Sequence, residues 1–109
     1  MRTSRHQYVR ALLAGVILAQ SGMAAAELSA EQLHTRALAA TCANCHGTEG
    51  KPAQSANMAR LAGKSREHMA AQMRAFKDGS RQATVMHQIA KGYTDQQIES
   101  IAAYFAAIQ

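Results

Sequence analysis

The sequence has few of the residues that build a large or cross-linked core. It contains no tryptophan, three tyrosines and two phenylalanines, so aromatic packing can contribute little to folding. Its two cysteines allow at most one disulfide, which excludes a disulfide-rich scaffold. No apolar run approaches the roughly 20 residues that a helix needs to cross a bilayer. The length of 109 residues fits one small domain.

Positive charge is concentrated at the start of the chain. The formal net charge is +5 at pH 7, but residues 1–26 hold three arginines and no acidic residue. The remainder is only weakly basic, and it lacks a dense basic run interleaved with aromatic residues. We therefore expect no nucleic-acid partner.

The first 26 residues are typical of a secretory signal peptide. Arginines lead into the short apolar run 11–19, and small residues follow at 24–26, where a signal peptidase would cut. An uncleaved membrane anchor is the alternative, and the shortness of the run disfavours it. We predict export to the periplasm, cleavage after Ala26 and a mature domain of residues 27–109 without a membrane span.

The most informative stretch is Cys42-Ala43-Asn44-Cys45-His46, which has the attachment pattern of a c-type haem. Two thiols three positions apart lie about one helical turn from each other, and each can add to one of the two vinyl groups on one edge of the porphyrin. The histidine that follows offers a neutral nitrogen to the iron. The sequence therefore predicts one covalent haem c, attached through Cys42 and Cys45, with His46 as the proximal iron ligand.

Three other uses of the two cysteines fit less well. A redox-active dithiol of the thioredoxin kind should lie in a βαβ pattern, and the sequence has no convincing strand. A zinc site needs two further ligands at a matching spacing, and there is no third cysteine. A structural disulfide would leave the adjacent His46 without a role. Haem attachment accounts for all three side chains.

The remaining pattern is helical. Capping boxes at Ser29–Gln32 and Thr94–Gln97 predict the first and last helices, and Ser65 predicts the start of a middle helix that ends at Asp78-Gly79. On the first helix, Ala37, Ala40 and Thr41 are expected to meet another helix. Met69 and Met73 share a face of the middle helix, so we interpret them as core residues.

The segment between the haem motif and the middle helix is predicted to be a loop, 47–62, because it contains glycines and the only proline. Its apolar residues Met58 and Leu61 are expected to pack on the porphyrin. A backbone carbonyl in this loop should accept the proton on the second ring nitrogen of His46 and so fix its tautomer. The sequence leaves open which carbonyl this is.

Helices on both sides of an early haem motif, followed by a late methionine before a C-terminal helix, make the chain resemble the class I bacterial c-type cytochromes. This resemblance implies an all-α fold with three to four helices around one covalently bound haem. The later part of the chain is similar, more particularly, to the cytochrome subunit of flavocytochrome c sulfide dehydrogenase. That similarity lies in four short segments and one residue: Leu61–Gly63, Phe76–Gly79, Arg81, Ala83–Met86 and Ile89–Tyr93.

Carried over to this chain, the resemblance makes Met86 the distal iron ligand. Its position just before the C-terminal helix agrees, because the chain can return there to the open face of the haem. Met58 is a weaker competitor, only twelve residues from His46. Two positions depart from the family pattern. His87 replaces a glycine and either faces solvent or could displace the sulfur at high pH, and Ala59 replaces a proline.

Iron with both axial positions filled excludes a substrate, so the predicted role is electron transfer without catalysis. The resemblance implies the haem subunit of a sulfide:cytochrome c oxidoreductase, with an FAD-containing flavoprotein as partner. A free-standing soluble electron shuttle to an oxidase or reductase is the alternative, and an open-site gas-binding or peroxidatic haem protein is a third. Five cations could steer an acidic partner or simply be solvated: Arg60, Lys64, Lys77, Arg81 and Lys91.

Overall fold

The computed structural model describes residues 28–109, and the predicted signal peptide 1–26 lies outside them. Over the described residues the chain is helical and contains no strand, which confirms the all-α prediction. The helices are α1 (Ala30–Ala40), α2 (Ala43–His46), α3 (Arg66–Asp78), α4 (Met86–Ile89) and α5 (Asp95–Ala106), with short 3-10 helices at Thr48–Gly50 and Ala90–Gly92.

The helix starts follow the predicted caps. The Ser29 hydroxyl accepts a hydrogen bond from the Gln32 amide (3.1 Å), and the Ser29 amide donates to Gln32 Oε1 (2.8 Å). Thr94 and Gln97 repeat this reciprocal pair at the start of α5, at 3.1 and 2.9 Å. Ser65 caps α3. Each cap supplies acceptors to amides that have no partner within the helix, so local sequence sets these boundaries.

The core lies where α5 packs against both α1 and α3. Ile98 and Phe105 on α5 are its largest fully buried side chains. The other members of this cluster are Ala39, Met69, Ala70, Ile101 and Ala102. Because three of these seven residues are alanine, the protein alone buries little apolar side chain, as expected of a small domain built around a cofactor.

The prediction of which side of α1 contacts another helix is wrong. Ala37 and Ala40 are exposed, and Leu33 on the same face is 53% exposed, whereas Ala39 is 2% exposed and packs in the core. Alanines lie on several sides of this helix, so their spacing does not determine which side is buried. Thr41 is also exposed, but its hydroxyl donates to the Leu38 carbonyl (2.7 Å) and lies 2.6 Å from the Tyr93 hydroxyl.

Ion pairs join the outer sides of α3 and α5. Glu99 accepts from Arg66 at 3.0 Å and from Arg74, and Lys77 donates to Asp95 at 2.8 Å. Hydrogen bonds from the cations, first Arg74 and then Arg66, lower the pKa of the Glu99 carboxyl. Lys77 likewise lowers the pKa of Asp95. Lys77 is therefore engaged within the domain. None of the helices in residues 28–109 is long and apolar enough to cross a bilayer.

Candidate haem site

A cavity of about 360 Å³ lies between the helices, within the range of roughly 300–1,000 Å³ common for small-molecule and cofactor sites. Its lining is largely apolar, and every helix or its flanking residue contributes to it. The haem motif supplies Cys42, Cys45 and His46; the loop supplies Met58 and Leu61; α3 supplies Met69, Met73 and Phe76; α4 supplies Met86 and Ile89; and α5 supplies Ile101, Ala102 and Phe105.

Both predicted attachment residues line this cavity on a single helical turn. The His46 amide donates to the Cys42 carbonyl at 2.9 Å, which closes the turn and places the two thiols and the imidazole on one short helix. Cys42 is half-buried, Cys45 is exposed, and the two are not joined by a disulfide. The two cysteines, three positions apart in the sequence, therefore lie within one helical turn, as the attachment of both to one porphyrin requires.

The environment of the thiols disfavours the other uses of a cysteine pair. Burial raises the pKa of the Cys42 thiol; the Thr41 hydroxyl opposes the shift and the neighbouring Cys45 adds to it. A dithiol oxidoreductase needs the opposite, a lowered pKa on the attacking cysteine. Within residues 28–109 no three His, Cys, Asp or Glu side chains come together as a metal site would require.

The His46 ring is oriented by the loop. Its Nδ1 lies 2.7 Å from the Ala59 carbonyl oxygen, and because a carbonyl only accepts, the proton belongs on Nδ1. A neutral imidazole protonated at Nδ1 leaves the lone pair of Nε2 free to bind a metal. The acceptor that the sequence left open is therefore the backbone carbonyl of Ala59.

The loop that carries Ala59 is held against α5. Its backbone amides at Leu61 and Ala62 donate to the Gly50 carbonyl at 2.9 and 3.2 Å, and Gly63 donates to the Phe105 carbonyl at 3.0 Å. Gly50 has φ +68°, and a Cβ there would lie 2.8 Å from Leu61 Cβ and 2.9 Å from the Phe105 ring. Only glycine fits this close approach, so Gly50 allows the loop to lie directly against Phe105 of α5.

A second contact ties the haem segment to α5. The Tyr104 hydroxyl donates to the Glu49 carboxylate, 3.1 and 3.0 Å from its two oxygens, and Arg36 lies 4.0 Å from the same carboxylate. Burial, followed by this bond to Glu49, raises the pKa of the Tyr104 phenol. The pairing spans 55 residues, and no local pattern in the sequence indicated it.

Four methionines reach the cavity, so its lining alone does not single out Met86. Met69 is 8% exposed within the core cluster and Met73 packs against that cluster, as their interpretation as core residues requires. Met58 is 41% exposed on the loop. Met86 is half-buried at the first residue of α4, the segment that precedes α5.

His87 differs from its expected solvated position. It is half-buried, and its Nδ1 is fully buried with no hydrogen-bond partner among the described residues. The side chain is also not among those that line the cavity. The imidazole next to Met86 is therefore partly enclosed by the protein, with its Nδ1 atom on the inner side.

The residues present fit a haem c. The cavity is apolar, as the porphyrin faces require, and its wall carries two free thiols one turn apart, an imidazole with Nε2 available and a soft thioether sulfur. Both hydroxyls at its edge, Thr41 and Tyr93, already bond to each other. These donors fit a covalently held iron porphyrin and would supply its axial ligands.

Comparison with known proteins agrees with this chemistry. A family model described as cytochrome c matches residues 34–109. A cytochrome subunit of sulfide dehydrogenase from Chlorobaculum tepidum is 46% identical over 68 residues, which cover 62% of this chain and 60% of the relative. A thiosulfate dehydrogenase electron acceptor from Thiomonas intermedia is 37% identical over 71 residues, 65% of this chain and 33% of the relative.

Longer matches come from cytochrome c4. The Pseudomonas aeruginosa protein is 32% identical over 96 residues, 88% of this chain and 47% of the relative. The solved structure of cytochrome c4 from Acidithiobacillus ferrooxidans superposes with a TM-score of 0.65 at 29% identity, covering 89% of this chain and 62% of that one. The chain thus spans between a third and two thirds of the length of these relatives.

Proposed function

The chain belongs to the cytochrome c family, whose cofactor is covalently bound haem c, and from that premise we propose that it is an exported electron carrier. In this proposal Cys42 and Cys45 form the two thioether bonds, and His46 is the proximal ligand through Nε2. When bound, the haem supplies a reversible one-electron couple. The protein's residues anchor it, orient its ligand and keep water from most of its surface.

Met86 is proposed as the distal ligand. Support comes from its half-buried place in the cavity wall and from the position of α4, which packs on α3 before the chain turns into α5. The competing sulfurs are less well placed, because Met69 belongs to the core and Met58 is an exposed loop residue. A thioether is a soft, weak donor that favours ferrous iron and so raises the reduction potential.

With two protein ligands on the iron, no position remains for a substrate, so electrons must enter and leave through the exposed edge of the ring. The rim of the cavity carries apolar side chains that are partly open to solvent: Met58 (41%), Val85 (49%) and Ile89 (39%). Apolar groups of this kind are what a transient redox partner would cover. No carboxylate side chain lines the cavity within residues 28–109, so the protein itself places no negative charge at the rim that would repel an acidic partner.

For the partner, we propose a flavoprotein that oxidises sulfide, with this chain as the subunit that removes the electrons. The observation that carries this assignment is the 46% identity to a cytochrome subunit of sulfide dehydrogenase. The 37% identity to a thiosulfate dehydrogenase electron acceptor favours a second candidate, a free shuttle that accepts electrons from a separate enzyme.

Purification of the exported native protein under mild conditions distinguishes these two roles. A stable flavocytochrome should yield an FAD-containing protein in equimolar amount, and sulfide should then reduce the haem of the complex. A haem protein that elutes alone and is not reduced by sulfide would rule out the subunit role and leave the shuttle. In either case, mass spectrometry should give a mature chain that begins at residue 27, consistent with periplasmic export.

A further inference from the structure

The polar side chains that line the haem cavity are not evenly distributed. Two of them, Thr41 and Tyr93, are 2.6 Å apart and satisfy each other. The Arg81 guanidinium stacks on the Phe76 ring, 4.8 Å from its centroid. After these and the haem motif are set aside, the polar lining consists of four side chains: Arg60, Lys64, His68 and Gln72.

These four residues come from one continuous segment, the end of the loop and the first half of α3. Lys64, His68 and Gln72 are spaced by four, so they follow one another along one side of the chain as it enters the helix. They lie beside the apolar row of Met69, Met73 and Phe76 rather than within it. The cavity therefore has one polar edge on an otherwise apolar wall.

None of the four side chains makes a hydrogen bond or ion pair with another residue in the range 28–109. By contrast, the neighbouring cations Arg66, Arg74 and Lys77 on the outer side of α3 are all paired with acids. The Gln72 amide oxygen is moreover fully buried without a partner. Burying an unsatisfied polar atom is costly. A half-turn of this amide exchanges its oxygen and its NH2 group, so the amide can donate a hydrogen bond from this position to an acceptor that fills the cavity.

The haem itself presents the complementary chemistry. Opposite the edge that carries the two vinyl groups, the porphyrin has two carboxylate side chains. Thioether bonds at Cys42 and Cys45 would fix the vinyl edge against α2, so the carboxylates must meet another part of the wall. Carboxylates bind best to guanidinium, ammonium, imidazolium and amide N–H donors, and these are the groups of the polar edge.

We propose that Arg60, Lys64, His68 and Gln72 form the binding site for the two haem carboxylates, with Gln72 donating from its amide nitrogen. This inference rests on the proposed attachment of the haem through Cys42 and Cys45. It assigns these residues a positioning role: they set the tilt of the ring between His46 and Met86 and neutralise the charge of its outer edge. It also leaves Arg81 as a residue that supports Phe76.

The test uses holoprotein and the resonance Raman bending band of the haem carboxylate side chains, which moves to lower frequency when their hydrogen bonds weaken. Arg60→Gln with Lys64→Gln, and separately Gln72→Leu, should lower this band and change the reduction potential. The control, Arg66→Gln with Arg74→Gln, also removes two positive charges, but from the outer side of α3, and should leave the band unchanged. Arg81→Gln should also leave it unchanged.

A second measurement needs no variant. In the ferrous wild-type protein, nuclear Overhauser contacts should connect the Gln72 side-chain amide and His68 ring protons with the methylenes of the haem carboxylate side chains. Contacts from Arg81 instead, or a band that moves in Arg81→Gln and not in Arg60→Gln/Lys64→Gln, would overturn the assignment.

If Arg60→Gln with Lys64→Gln slowed electron transfer to an acidic partner but left the Raman band unchanged, the assignment would also be overturned. The two cations would then face solvent and not the haem carboxylates. A chain that attaches no haem would contradict the proposed function itself, whereas a haem protein with an unmoved band contradicts only this inference.

Discussion

The Nδ1 atom of His46 lies 2.7 Å from the carbonyl oxygen of Ala59, thirteen residues further along the chain. This bond orients the imidazole, and its acceptor is a backbone atom, so its position depends on how the loop is held rather than on the side chain at position 59. The loop is held through Gly50, which accepts from two loop amides and leaves room for Leu61 and Phe105.

Gly50→Ala should therefore be strongly destabilising. The left-handed backbone costs a non-glycine residue about 1–2 kcal/mol, and overpacking against Leu61 and Phe105 adds about 1–3 kcal/mol. Gly79→Ala is the matched control, because Gly79 has φ +84° but nothing within 4 Å of its Cβ position, so only the backbone cost applies. Denaturant unfolding of the two holoproteins measures the difference. Equal losses would show that Gly50 is not closely packed.

Met86→Ala should lower the reduction potential and open the distal side of the iron. Loss of the weakly donating sulfur removes the preference for ferrous iron and leaves a coordination position free. Potentiometry and carbon monoxide binding to the reduced protein measure the two effects. Met58→Ala, on the exposed loop, is the control and should bind carbon monoxide as poorly as the wild type. An unchanged potential in Met86→Ala would move the distal ligand to another residue.

Cys42→Ala with Cys45→Ala should abolish covalent haem and leave a weakly folded chain. Within residues 28–109 the largest fully buried side chains are Ile98 and Phe105, and three of the seven core residues are alanine, so the cofactor must supply much of the buried apolar surface. Haem staining of a denaturing gel tests attachment, and far-ultraviolet circular dichroism tests folding. A stained band in the double variant, or a cooperative thermal transition without haem, would refute the respective half of this prediction.

Acid should weaken the contact between α3 and α5. The pKa of Glu99 is lower in the folded state than in the unfolded one because Arg74 and Arg66 bond to its carboxylate. Its contribution to stability is therefore present above the ordinary value of about 4.3 and is lost as the pH falls through the folded-state pKa. Glu99→Gln should lower Tm at neutral pH, and its difference from wild type should shrink in acid. A difference in Tm between Glu99→Gln and wild type that does not change with pH would contradict this account.

Local chemistry accounts for what could be predicted from the sequence. The spacing of Cys42, Cys45 and His46 fits one helical turn wherever the turn lies, and the caps at Ser29 and Thr94 involve residues only three apart. These features need no knowledge of the fold. The all-α class followed from them, together with the absence of a convincing strand.

The features that sequence reasoning missed depend on tertiary contacts. The Tyr104–Glu49 bond joins residues 55 apart, and the acceptor for His46 is a carbonyl, which every residue possesses. The buried side of α1 could not be determined because alanine fits both exposed and buried positions, and packing against α5 selected Ala39. The buried Nδ1 of His87 likewise reflects the packing around α4 rather than any local pattern.

The absorption spectrum of the exported protein, made in a host with haem-attachment machinery, tests the central claim most directly. The account predicts a red protein whose haem resists acid–acetone extraction, with the ferrous bands of a porphyrin whose two vinyl groups are saturated and, in the ferric form, the weak far-red band of sulfur–iron ligation. A colourless product, or a haem that is extracted and lacks the far-red band, would contradict it.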